Sequence, residues 1–130
     1  MSTTVCLAPA RTIAYPQGGG HLWVYLQWAL GLQALGCRVV WLEGLDPSEP
    51  EQDSREKVAA LSARLGAYGL AESLALFSLS GGPLPRGVAD GALDLEAAAE
   101  ADLLLNLWHS LPASVVSRFR RSAFVDTDPG

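Results

Sequence analysis

Between Arg11 and Arg38 the chain carries no formal charge, and no other property of the sequence narrows the possible folds as much. So apolar a stretch is either a membrane span or a helix that a folded domain must wrap. Pro16 and the Gly18-Gly19-Gly20 run interrupt it, leaving about sixteen residues from Leu22 that Gln27 and Gln33 break again. A bilayer span needs roughly 20 consecutive apolar residues. The expectation is therefore a helix inside a folded domain, with no integral membrane segment. Trp23, Val24, Leu26, Trp28, Leu30 and Leu32 put apolar side chains nearly all the way round it, which asks for cover on more than one side.

Short apolar runs alternate with helical patterns through the rest of the chain. Residues 3–8 (TTVCLA), 38–43 (RVVWLE), 73–79, 103–106 (LLLN) and 122–126 read as strands. Helices are expected at 21–35, stopped by Gly36, and at 54–66, capped by Ser54 with Val58, Leu61 and Leu65 on one face. Two shorter ones follow, at 94–101 capped by Asp94 and at 112–119 opened by Pro112. Between them lie loops at 9–20, at 44–53, and around Gly81-Gly82-Pro83 and Pro85. Strands alternating with helices predict an α/β, Rossmann-like sheet: about five mostly parallel strands with helices on both faces.

With 130 residues, 49% apolar and 18% charged, the chain can bury a sizeable core as one domain, and disorder is excluded. Its last residues, Thr127-Asp128-Pro129-Gly130, follow a strand with no closing helix. Together with the all-round apolar helix, this predicts that residues 1–130 are the N-terminal half of a longer protein, whose own C-terminal domain covers the apolar face. Nine basic against fourteen acidic residues give a net charge of −5, and the cluster Arg118, Arg120 and Arg121 reads as a solvated helix end, so no nucleic-acid partner is expected. Cys6 and Cys37 lack CxxC spacing and any His/Cys ligand set. They read as reduced, buried thiols in a cytoplasmic protein, and no signal peptide is visible.

In a sheet ordered 3-2-1-4-5, ligands bind beyond the carboxyl ends of the strands, between strands one and four. The loops there are 9–20 and 107–112, and they bring His21 and His109, the two histidines of the chain, to one crevice. Gly18, Gly19 and Gly20 end at a helix N-terminus, where backbone N–H groups can approach an anion; the alternative is a turn without a ligand. The helix dipole favours the neutral imidazole at His21, the form a general base needs, although a histidine there also serves as a packing residue. Gly18-x-Gly20 matches the start of a dinucleotide fingerprint and Glu43 would suit a ribose diol, but Trp23 stands where the third glycine belongs and the loop is too long. Asp126-Thr127-Asp128 is a DxD that can hold a divalent cation with a diphosphate, or cap the turn before Pro129. No strained serine turn of the GxSxG kind appears.

Several of these residues also carry a resemblance. Tyr15-Pro16-x-Gly18-Gly19, Trp23-x-Tyr25-Leu26-Gln27, Gly31-Leu32-x-x-Leu35-Gly36 and Val39-x-x-Leu42-Glu43 resemble the opening of GT-B-type glycosyltransferases, in particular a poorly characterised bacterial glycosyltransferase-like group. Ala101-Asp102-Leu103-Leu104-Leu105-Asn106 and Val125-Asp126-x-Asp128-Pro129-Gly130 fit the same group, while residues 44–88 contribute little. The resemblance implies an enzyme of two Rossmann-like halves, with the acceptor on the N-terminal half and the nucleotide-sugar on the C-terminal half. It implies no bound metal and no cofactor beyond the nucleotide-sugar donor. A Gly-His pair opens the first helix in the best-known branch, where the histidine deprotonates the acceptor hydroxyl; Gly20-His21 matches it. That branch orients its histidine with an aspartate at the end of strand four, and Asn106 stands there in this chain. The expected site is therefore His21 as base, with Gly18, Gly19, Gly20, Asn106 and His109 lining the substrate cleft. Metal-dependent transfer through Asp126 and Asp128, a non-catalytic nucleotide- or sugar-binding module and, more distantly, an NAD(H) oxidoreductase remain as alternatives.

Overall fold

The computed structural model describes residues 2–14 and 19–126, without the side chains of His21 and Arg86. In chain order the elements are β1 (Thr4–Ala8), a 3₁₀ turn (Thr12–Ala14), α1 (Gly19–Ala34), β2 (Arg38–Leu45), α2 (Glu51–Gly66) and β3 (Leu74–Ser78). There follow α3 (Arg86–Ala89), α4 (Leu95–Ala98), β4 (Leu103–Asn106), α5 (Ala113–Val116) and β5 (Ser122–Phe124). The strands form one five-stranded, all-parallel sheet in the order β3-β2-β1-β4-β5, so the Rossmann-like α/β expectation holds.

Side chains alternate across each strand and feed two cores. Val5, Leu7, Val39, Trp41 and Leu45 meet Leu22 and Leu26 of α1 and Leu61 and Leu65 of α2 on one face. Cys6, Ala8, Val40, Leu42, Ala75 and Leu104 pack on the other face, against Ala98 of α4, Val115 of α5 and Phe119 just beyond it. Strands buried on both faces read as continuous apolar runs, which is why β1 to β4 were visible in the sequence. Gly36, at φ 89°, ends α1 as expected, and its amide reaches the Gln33 carbonyl. The free edge of β3 is covered by Leu93, whose backbone bonds to Leu74 and Leu76 at 2.9 Å.

Several boundaries differ from the sequence expectations, each for a local reason. Helix α2 starts at Glu51 rather than after Ser54: Pro50 enters it, and Glu51 and Asp53 favour its positive end. Ser54 is buried inside the helix and donates to Glu49 Oε1 at 3.0 Å. Asp94 does cap α4, accepting from the Ala97 amide at 2.8 Å, but the helix stops at Ala98 because the chain must turn to reach β4. Helix α5 likewise ends at Val116, and α3, entered through Pro85, lies where a plain loop was expected. Both cysteines are free; Cys6 is sealed, where burial pushes its thiol up, whereas Cys37 is only half-buried, in the turn before β2.

The all-round apolar helix is covered on one side only among the described residues. Leu22, Tyr25, Leu26 and Ala29 are buried, while Trp23 (45%), Val24 (46%) and Trp28 (38%) stay exposed, as does Leu35 (81%) just beyond the helix. No helix among the described residues is long and apolar enough to cross a membrane.

Candidate functional site

Strand β1 is the point at which the sheet order reverses. It pairs with β2 on one side and β4 on the other, and in register Ala8 stands level with Asn106. Connections leave these strands toward opposite faces, the switch-point arrangement in which open α/β sheets form a crevice at the carboxyl ends of the strands. Gly19, Gly20 and His21 form the first turn of α1. Gly18 and Asp128 lie outside the described residues, as does the His21 side chain.

The β4 side of this crevice is built by a tight turn. Asn106, the last residue of β4, is 9% exposed. Its Oδ1 accepts from the Trp108 amide at 2.9 Å, its carbonyl accepts from Val125, and the next amide, of Leu107, donates to Ala8 at 3.0 Å. The side-chain oxygen at the position matched to the histidine-orienting aspartate thus already shapes the turn. Leu111 closes that turn onto Trp108, leaving His109 and Ser110 exposed at its tip. Asn106 and His109 therefore share one loop base and tip beside β1.

On the β2 side the carboxyl end of the sheet is sealed. Glu43 is 1% exposed beneath the 3₁₀ turn, on the face that carries α1 and α2. The Thr12 hydroxyl and the Trp41 indole N–H (3.0 Å) both donate to its Oε1. Its Oε2 is buried with no hydrogen-bond partner among the described residues, and the same holds for Nε of Arg11. Burial dominates this carboxyl and pushes it up from 4.5 to about 7; Thr12, Trp41, the Ile13 amide and the Arg11 charge only partly offset that. A ribose diol cannot reach so enclosed a group, so the dinucleotide role suggested for Glu43 does not fit. The sequence signal was an acid inside VVWLEGL, since a charge in a buried strand demands partners. Which loop residue would supply one was not legible.

Just beyond, the surface is polar and open. Asp46 accepts from the Ser48 hydroxyl (2.7 Å) and amide (2.9 Å), and these bonds hold it below the usual carboxylate range. Glu49 is held low chiefly by Lys57. Asp126 is exposed, and no group of three potential metal ligands occurs among the described residues. A cleft of about 460 Å³ opens elsewhere, lined by Ser78, Gly82, Asp94, Ser114 and Arg118 among others. It touches none of the expected site residues, and its charged groups are engaged: Arg118 pairs with Glu96 at 3.7 Å and Asp94 caps α4. A shallow groove of about 640 Å³ runs along α1 between Trp28 and Leu35. Comparison with known protein families, with curated proteins and with solved structures finds no match to this chain.

Proposed function

We propose that the chain is the acceptor-side half of a two-lobed glycosyltransferase, which moves a sugar from a nucleotide-sugar to an acceptor hydroxyl. The observation that carries this reading is the register of Ala8 with Asn106, which sets side by side the ends of the two strands that lead to α1 and to the Asn106–His109 turn. The exposed apolar face of α1 supports it as the seat of a second lobe. The GT-B-like motifs of the sequence supply the chemistry.

His21 takes the proton of the acceptor hydroxyl as that oxygen bonds to the anomeric carbon and the nucleoside diphosphate leaves. The glycines before it let the backbone approach the donor phosphates, and Asn106 and His109 border the acceptor. No metal takes part, so EDTA leaves the rate unchanged. In a longer form carrying the second lobe, His21→Ala lowers turnover by about 10²- to 10⁴-fold while donor binding changes little. Unchanged turnover would leave His21 only a packing role. Sugar transfer by the 130-residue chain alone would contradict its being one half of the enzyme.

One observation favours a second reading, a binding module without chemistry: Asn106 Oδ1 is engaged by Trp108 and carries no charge to stabilise an imidazolium. Binding of a nucleotide-sugar with no turnover in the longer form would select it.

A further inference from the structure

The half of α1 furthest from its first turn carries a feature that sugar transfer does not use. From Gly19, at the carboxyl edge of the sheet, the helix runs back to the amino edge, where Arg38 begins β2. At a rise of 1.5 Å per residue, Trp28 to Leu35 lie about 13 to 24 Å from that first turn. A lobe closing over the carboxyl ends of β1 and β4 meets the start of the helix, near Trp23 and Val24, and leaves the far half open.

That far half is a knob beside a hole. Gln27, Trp28, Gly31, Leu32 and Leu35 line the groove of about 640 Å³. Its floor is Gly31, where an added Cβ would meet nothing within 4 Å, so a second helix can approach to about 8 Å between axes. Trp28 stands exposed one turn before this floor, and Leu35, still more exposed, one turn after it. A two-fold axis across the groove lays Trp28 of each copy over Gly31 of the other, so that one surface supplies both knob and hole.

Charge and area favour a second copy as the occupant. The exposed residues of this half, Gln27, Trp28, Gly31, Ala34 and Leu35, include no charge. A chain of net charge −5 is repelled by its own copy, but a two-fold contact here sets no like charge against itself. The same face has no lysine or arginine to draw it to an anionic lipid surface. Its five residues expose roughly 500 Å² per copy, or about 1,000 Å² in total, the size at which a specific contact begins. We propose that the Trp28–Leu35 face of α1 is the two-fold contact of a homodimer, in which Trp28 of each copy fills the groove over Gly31 of the other.

The dimer is read without substrate in the 130-residue chain, so it stands or falls apart from sugar transfer. Sedimentation equilibrium between about 1 and 500 µM should show monomer and dimer with a Kd of about 10 to 100 µM. Trp28→Ala and Gly31→Glu should each weaken association about tenfold or more, the first by removing the knob and the second by setting a carboxylate in the hole. Gly31→Glu keeps the fold, because the position is open and glutamate is the better helix former, and circular dichroism checks that. Trp23→Ala, on the same helix outside the groove, should leave association unchanged. In dimers of isotope-labelled and unlabelled chains, cross-peaks between copies are expected from the Trp28 ring to the Gly31 α protons. A chain that stays monomeric to about 500 µM, association that both groove variants leave intact or that Trp23→Ala weakens as much, or inter-copy cross-peaks elsewhere would overturn the proposal. So would a monomer that binds phosphatidylcholine vesicles through Trp28, or a longer form whose second lobe buries Trp28 and abolishes the dimer.

Discussion

The two flanks of β1 end in opposite ways. Toward β2 the chain folds a turn back over the sheet and encloses an acid; toward β4 it turns outward and leaves His109 and Ser110 in solvent. Both flanks are built from one side-chain oxygen satisfying neighbours: Glu43 Oε1 receives Thr12 and Trp41, and Asn106 Oδ1 receives the Trp108 amide. Enclosure decides what each can do. Three residues along the same exit from β2, Asp46 carries its charge easily because water and Ser48 solvate it, whereas Glu43 resists its own. The open flank presents its loop to solvent, and the closed one withholds its acid from water.

The largest expected effect breaks the closed flank. Because the folded-state value of Glu43 is raised from 4.5 to about 7, its stabilising contribution is complete below about pH 4.5 and is lost as pH rises through about 7. That difference corresponds to about 3 kcal/mol. Urea unfolding of the wild type should decline over this window, while Glu43→Gln should remove the slope and be the more stable protein above pH 7. Asp46 and Glu49, both held low, act with the opposite sign and only in more acidic solution.

A smaller effect sharpens the same contrast. Thr12→Val removes a donor that matters most to a charged oxygen, so it should cost about 2 kcal/mol at pH 8 and about 1 kcal/mol at pH 5. Equal losses at the two pH values would mean that Glu43 keeps one charge state throughout. On the open flank, Asn106→Ala frees the Trp108 amide and should cost about 1 kcal/mol at either pH, while His109→Ala should change unfolding by less than about 0.5 kcal/mol.

The sheet was legible because buried parallel strands announce themselves as apolar runs and their crossovers permit few orders. β4 was expected at 103–106 and is found there. Helix starts were less legible: Ser54 has the chemistry of a cap, but Pro50 and two acids begin α2 a turn earlier. β5 was expected to reach Asp126, yet it ends at Phe124 and all three of its residues are exposed. Short edge strands depend on what packs beside them, which no local pattern encodes. The same limit applies to the site. The topology and histidines pointed to the β1–β4 crevice, whereas the pairing of Thr12 with Glu43 depends on a turn in a Pro/Gly-rich loop seating against α2, a tertiary event. The apolar girdle of α1 was plain in the sequence, and its exposed half shows that the described residues cover only one side of it.

The central claim is that the start of α1 faces the open flank of β1. Nuclear Overhauser effects from the His21 ring in the 130-residue chain test it most directly. The account predicts cross-peaks to the Asn106–His109 turn; cross-peaks confined to Thr12, Ile13 and α2 would contradict it.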